Sequence, residues 1–88
     1  MTDFTAFINL SFSMFGHFFY INLGKIIFHL REKKGLTQEQ LCLLCDINRS
    51  YLFKIEKGTA NPSIKVLNKI CRVFRIKICD LLKRSQHH

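Results

Sequence analysis

The side chains best suited to chemistry in this sequence are hydrogen-bond donors that gather on one short predicted helix. The outward-facing side chains near the start of that helix are Arg49, Ser50, Tyr51 and Lys54. Arginine and lysine donate to guanine O6 and N7, serine donates or accepts, and tyrosine can contact a thymine methyl group or a phosphate. The 88 residues carry a net charge of +8. This charge could simply keep the surface solvated, but together with the donor-bearing helix it indicates a polyanionic partner, with nucleic acid as the leading candidate.

The sequence contains no recognisable arrangement of catalytic residues. There is no glycine-rich phosphate loop, and no cysteine has a histidine partner within a recognisable motif. The carboxylates are those of Asp3, Glu32, Glu39, Asp46, Glu56 and Asp80. Their positions in the sequence do not indicate a general acid–base pair. We therefore expect a protein that is not an enzyme and that needs no cofactor.

The four cysteines raise the question of disulfide bonds or a metal site. Cys42 and Cys45 have the C-x-x-C spacing, but both fall inside a predicted helix. No second pair of ligands lies at a suitable distance, since His87 and His88 stand at the end of the chain. Zinc binding and redox sensing are the alternatives. We expect reduced thiols that pack as small apolar side chains, without metal, in a cytoplasmic protein.

The donor-bearing helix is the second of two short helices that a tight turn joins. The first helix is predicted to begin at Thr37, a favourable N-cap, with Gln40 as the returning partner of a capping box. Its apolar stripe is predicted to be Leu41, Leu44 and Cys45. Asp46 falls in the turn, because aspartate tolerates the left-handed backbone conformation that a sharp turn needs.

The second helix is predicted to follow a capping asparagine, Asn48, and to end at Gly58. Leu52 and Ile55 form its inward face. A short capped helix that presents donors from its first turns, on a chain this basic, has the form of a DNA recognition helix.

These features, in this order and spacing, resemble the lambda-repressor-like, Xre/Cro-type helix-turn-helix family. The matching residues are Leu23, Gly24, Ile27, Leu30, Arg31, 34–39, Leu41, 48–52, 55–58, 61–63 and Leu67. The family usually carries glycine where this chain has Asp46. The resemblance implies an all-α, compact five-helix domain whose second short helix enters the major groove of double-stranded DNA.

The resemblance also implies roles for residues outside the outward face of that helix. It pairs Arg31 with Glu56 in a partly buried salt bridge, the alternative being a solvated arginine. It places Gln38 against the DNA backbone and the recognition helix, and small buried residues at Cys42 and Cys71. The residues around the loop after the recognition helix are expected to contact the next phosphates: Lys57, Thr59, Asn61 and Lys65.

Residues 1–21 form an aromatic-rich extension that is predicted to be helical, although phenylalanine also suits β-structure. The residues on its apolar face are Phe4, Phe7, Ile8, Phe12, Phe15, Phe18 and Phe19. A signal peptide is not expected, because residues 1–21 have no basic region at their start. A membrane-spanning helix is not expected, because polar residues interrupt the apolar stretch. A helix on a membrane surface would carry basic residues, and none occurs before Lys25. We expect this face to pack against the domain or against a second copy, unless the natural chain begins later.

The helix-turn-helix domain is predicted to span 22–84, with a frayed tail at 85–88. The buried positions of its first helix, 22–34, are Leu23, Ile26, Ile27 and Leu30. The fourth helix, capped by Ser63, has the apolar stripe Ile64, Leu67, Ile70, Cys71 and Phe74. A last helix at 78–83 directs Leu81 or Leu82 to the core or to a dimer partner.

The sequence therefore predicts a sequence-specific DNA-binding transcriptional regulator, such as a repressor. One domain of this size contacts about one half-site, so we expect a dimer on a pseudo-palindromic operator. The homodimer would form through the C-terminal helix, the N-terminal aromatic segment, or both, and membrane association is not expected. The alternative is an antitoxin or protein-interaction module, in which the aromatic segment binds a partner and DNA binding is secondary.

Overall fold

The computed structural model describes the backbone of residues 2–86 and the side chains of residues 16–86. Residues 2–86 form five α-helices without a strand, which confirms the all-α architecture expected from the sequence. The helices are α1 (Thr2–Lys34), α2 (Gln38–Cys45), α3 (Arg49–Lys57), α4 (Ile64–Phe74) and α5 (Ile78–Gln86). α1 packs against α3 and α5, and α2 packs against α3 and α4. The two short helices predicted from the sequence are therefore α2 and α3.

Local side-chain caps determine where the short helices begin. Thr37 and Gln40 form the predicted capping box: the Thr37 hydroxyl accepts from the Gln40 backbone N–H at 3.1 Å, and the Gln40 Oε1 accepts from the Thr37 N–H at 2.8 Å. Asn48 and Ser63 accept in the same way from backbone N–H groups in the first turns of α3 and α4. These caps satisfy donors that the first turn of a helix leaves without an intrahelical partner.

The helix ends also follow the sequence. Asp46 after α2 has a φ angle of 54° and Gly58 after α3 has a φ angle of 79°, so both adopt the predicted left-handed conformation. Gly58 is needed for a second reason, because a Cβ atom there would lie 2.7 Å from the Cα atom of Ile21 in α1.

One apolar core holds the five helices together. Its buried apolar side chains are Leu23, Ile27, Leu41, Cys42, Cys45, Leu52, Ile55, Leu67, Ile70, Cys71 and Leu81. The inward positions predicted for α1 and α3 are all buried or half-buried. Three cysteines belong to this core, as expected for thiols that pack as small apolar side chains.

Two apolar positions that were predicted to be buried are exposed instead. Leu44 is 60% exposed and Ile64 is 58% exposed. The buried face of α2 consists of Leu41, Cys42 and Cys45. Leu44 lies about 100° around the helix from the centre of that face, at 3.6 residues per turn. Ile64 is the first residue of α4 and precedes the first buried residue of that helix, Leu67, by almost one turn.

α1 continues without interruption through the boundary predicted between residues 21 and 22. Phe19 and Tyr20 pack against the core, although both were placed in the extension. A Cβ atom on Gly24 would lie 2.3 Å from the carbonyl oxygen of Ile55, so only glycine allows α1 to pass this close to α3. The last residues of the predicted extension are therefore part of the domain's packing.

The C-terminal helix is longer than predicted. α5 continues to Gln86, and Ser85, which was predicted to lie in the frayed tail, is buried. The Ser85 hydroxyl donates to the Leu81 carbonyl at 2.8 Å, and its own carbonyl accepts from Asn22 Nδ2 at 3.2 Å. These bonds fix the end of α5 against α1.

Two of the sequence predictions concern parts of the chain outside the described residues. They are the orientation of the apolar side chains at 4–15 and the fraying of His87 and His88. In the described part of the chain, none of the helices combines the length and hydropathy that crossing a membrane requires.

Candidate nucleic-acid interface

An ion pair between Arg31 and Glu56 fixes the orientation of α3 relative to α1. Arg31 Nε donates to Glu56 Oε2 at 2.7 Å, and Arg31 Nη2 donates to Glu56 Oε1 at 3.1 Å. Two such bonds fix both the direction and the distance of the contact. The two side chains are 9% and 7% exposed, so the pair is shielded from solvent. The hydrogen bonds that Arg31 donates to Glu56 raise the pKa of Arg31, and the guanidinium stays charged.

The same pair also holds the start of α2. Gln38, the first residue of α2, donates from Nε2 to Glu56 Oε1 at 3.1 Å. Arg31 Nη1 donates to the Leu36 carbonyl at 2.8 Å, just before that helix. Among the described residues, every buried side-chain nitrogen or oxygen has a hydrogen-bond partner. One network thus joins α1, α2 and α3 at the place where the two short helices must be oriented.

The outward face of α3 carries the donors that the sequence indicated. Arg49, Ser50 and Lys54 are exposed. Arg49 Nη1 lies 3.7 Å from Glu39 Oε1 on α2, but these side chains are 66% and 74% exposed, so water and salt weaken the contact. Tyr51 is half-buried because its ring packs against the core. Three of the four predicted base-contacting side chains are therefore available on the surface, and the fourth is partly committed to packing.

The predicted phosphate-contacting residues flank this face. Lys57 and Lys65 are exposed at the end of α3 and in the first turn of α4. The Lys57 ammonium lies 5.5 Å from the centre of the Phe53 ring, which is itself half-exposed. The Thr59 hydroxyl donates to the Lys54 carbonyl at 3.3 Å, beyond the last turn of α3. Lys57 and Lys65 both remain exposed to solvent.

One contact at this interface was not predicted. The Tyr20 hydroxyl of α1 donates to Asn61 Oδ1 at 2.7 Å, in the loop between α3 and α4. Tyr20 lies four residues before Gly24, so helical spacing could have assigned it to the face of α1 that packs on α3. Its partner is 41 residues away in the chain, and no local pattern indicates such a pairing.

Core packing explains three of the four cysteines, whereas the expected burial is wrong for Cys79. In the part of the chain that the structure describes, no group of three or more potential ligands could hold a metal ion. Burial raises the pKa of the Cys42, Cys45 and Cys71 thiols, which favours their neutral form. Cys79 on α5 is exposed.

Known proteins are similar to this chain in sequence and in fold. The sequence profile of a family described as Helix-turn-helix matches residues 27–81, from the last turns of α1 to α5. An uncharacterized HTH-type transcriptional regulator of Archaeoglobus fulgidus is 43% identical over 51 residues, which are 58% of this chain and 73% of that protein. Control protein C.BamHI of Bacillus amyloliquefaciens is 38% identical over 51 residues, 58% of this chain and 63% of that protein. The crystal structure of the restriction-modification controller protein C.AhdI of Aeromonas hydrophila has a TM-score of 0.67 at 32% identity, covering 70% of this chain and 94% of that one.

Replacing Glu56 by glutamine should lower the free energy of unfolding by about 3–5 kcal/mol, because Arg31 would stay buried without a charged partner. Glu39→Gln is the matched control. It removes a carboxylate from the exposed contact with Arg49 and should cost less than about 1 kcal/mol. Urea unfolding followed by circular dichroism measures both. Equal unfolding midpoints for the two variants would contradict a structural role for the buried pair.

Proposed function

The chain belongs to the lambda-repressor-like, Xre/Cro-type helix-turn-helix family of DNA-binding transcriptional regulators, and from this premise we propose that it binds duplex DNA with α3 in the major groove. The observation that supports this most is the exposed, cationic face of α3, whose orientation the Arg31–Glu56 pair fixes. The major groove is about 12 Å wide and a helix with its side chains is about 10–12 Å across, so one helix fits. Side chains from the first turns of α3 would then reach base edges.

We assign base contacts to Arg49, Ser50, Tyr51 and Lys54. Arg49 can donate two hydrogen bonds to one guanine, Lys54 can donate to guanine O6 or N7, and Ser50 can donate or accept. Tyr51 would contact a thymine methyl group or a phosphate with the exposed part of its ring. Arg49 must leave its contact with Glu39 to reach a base. This costs little, because exposed ion pairs of this kind contribute little free energy.

Phosphate contacts are proposed for the residues that border α3. Lys57 and Lys65 supply charge, while Thr59 and Asn61 supply polar groups in the intervening loop. Gln38 begins α2, where backbone N–H groups and the helix dipole favour an anion. The Gln38 side chain already donates to Glu56. We therefore infer that the backbone N–H groups at the start of α2 contact the phosphate, together with the side-chain amide of Gln38.

We further propose that the protein acts as a homodimer on a pseudo-palindromic operator, as a repressor in the cytoplasm. One copy of α3 reads about one half-site, and two copies supply useful specificity. The candidate surfaces for the dimer are α5 and the N-terminal part of α1, where Phe18 is 61% exposed. Four free cysteines suit a reducing compartment. We infer binding without catalysis, since the sequence offers no pair of groups suited to acid–base work.

Alanine substitutions should separate base contacts from phosphate contacts. Arg49→Ala should relax the preference at one base step and cost about 1–3 kcal/mol on the preferred site. Lys65→Ala should weaken binding to all sequences alike and reduce the slope of log affinity against log salt by about 0.9. Lys77→Ala, which removes an exposed charge beyond the opposite end of α4, is the control and should change both quantities less.

Fluorescence anisotropy, with a duplex selected from a random pool and with a scrambled duplex, measures these effects over a series of salt concentrations. If Arg49→Ala lost the same affinity for both duplexes, Arg49 would contact a phosphate and not a base. If the wild-type protein bound no duplex at low salt, the proposed function would be wrong.

The solution mass tests the proposed dimer. Light scattering should give about twice the 10.4 kDa mass of one chain at concentrations where DNA is bound. A shortened chain that begins at residue 16 keeps every side-chain contact described above. It should stay dimeric if α5 forms the interface and become monomeric if the interface requires residues 1–15. A monomeric full-length chain, both alone and on DNA, would contradict the dimer.

A further inference from the structure

We infer that Tyr20 is a positioning residue for DNA binding: its hydroxyl fixes the carboxamide of Asn61 so that the Asn61 amide group donates to a DNA phosphate. This inference rests on the proposed function, because it takes the loop between α3 and α4 to lie against the DNA backbone. It assigns a part in DNA binding to a residue that precedes the matched family segment, which begins at residue 27.

The contact itself is short and specific. The Tyr20 hydroxyl donates to Asn61 Oδ1 at 2.7 Å, a typical distance for a bond between two oxygen atoms. A carboxamide has one accepting oxygen and one nitrogen with two donating hydrogens. Because the oxygen is used by Tyr20, the nitrogen is the atom left to turn toward an external group.

Phosphate oxygens only accept hydrogen bonds, so the orientation of the Asn61 carboxamide decides whether the contact with DNA attracts or repels. With Nδ2 outward, Asn61 donates to the phosphate. With Oδ1 outward, two accepting oxygens would face each other. A free side chain populates both orientations and several rotamers, whereas in the observed bond Tyr20 donates to Oδ1, which leaves Nδ2 free to donate.

Tyr20 can select an orientation because its own ring is held in place. The ring packs against the core, and its edge meets the ring of Phe19 at a centroid distance of 5.5 Å. A tyrosine held in this way loses little further freedom when it bonds to Asn61.

The loop that carries Asn61 is held on both sides of that residue. Gly58 is pressed against Ile21, where a Cβ atom would come within 2.7 Å of the Ile21 Cα atom. Pro62 is buried, whereas Asn61 is exposed. The backbone of the loop is thus fixed against α1, and the orientation of the Asn61 side chain is what Tyr20 adds.

The test is a set of mutant cycles on a short mixed-sequence duplex at low salt, because phosphate contacts are independent of sequence. Tyr20→Phe keeps the ring and removes the hydroxyl. It should weaken binding about two- to fivefold, since the fraction of Asn61 in the donating orientation falls to about one-half to one-fifth. The same substitution should have no effect on affinity in an Asn61→Ala background. In a Lys65→Ala background, the control, it should again cost about two- to fivefold.

A second variant examines the donor directly. Asn61→Asp keeps an oxygen that can accept from Tyr20 but presents only accepting oxygens and a negative charge to the phosphate. It should bind DNA more weakly than Asn61→Ala. Thermal unfolding of Tyr20→Phe should stay close to that of the wild type, because the lost bond is exposed. These results together would distinguish positioning from a structural role of Tyr20.

Three results would overturn the inference while leaving the proposed function intact: unchanged affinity of Tyr20→Phe, an equal loss from Tyr20→Phe in the Asn61→Ala background, or wild-type affinity of Asn61→Asp. In each of them the wild-type protein still binds the duplex and Lys65→Ala still weakens binding. Failure of the proposed function looks different, because neither the wild type nor any of these variants would bind.

Discussion

The bidentate contact between Arg31 and Glu56 is the constraint on which the proposed DNA interface depends. α3 has nine residues, and helices this short are marginal in water unless tertiary contacts hold them. The buried ion pair joins α3 to α1 and, through Gln38, to the start of α2. Because neither charge can be left buried without the other, the pair favours one orientation of α3 strongly. The donor side chains on the outward face of α3 are oriented in turn by the position of this helix.

The long helix α1 supports each part of the proposed DNA interface. Tyr20, Gly24, Ile27 and Arg31 recur at intervals of four, three and four residues, so they share one face of α1. Along this face the helix meets the loop after α3, the backbone at the end of α3, the core and the ion pair, in that order. α3 and the loop proposed to contact phosphates are therefore both positioned by α1. A substitution in the N-terminal part of α1 that disturbs these contacts would therefore also alter the proposed DNA interface.

Much of this arrangement was predictable from the sequence, because it depends on local signals. The capping box, the left-handed turn at Asp46 and the exposed donors of α3 follow from residue type and spacing, and the resemblance to a known family implied the ion pair. The prediction for Leu44 was wrong because two overlapping faces of an eight-residue helix satisfy the same spacing, and only packing against α4 decides between them. The contact of Tyr20 with Asn61 could not be predicted, since it joins residues 41 apart. The domain boundary was drawn where composition changes from aromatic to basic, but the helix continues across it.

We propose that α3 and the loop after it form the DNA-facing surface of a domain in which the Arg31–Glu56 ion pair fixes the orientation of α3. Amide chemical shifts of the isotope-labelled protein, recorded during titration with a short duplex, identify the surface that contacts DNA. We expect the largest changes in α3, in the loop at 58–63 and in the first turns of α2 and α4, with small changes at Lys77 and along α5. Changes confined to the C-terminal end of α4 and to α5, with α3 unaffected, would contradict the account.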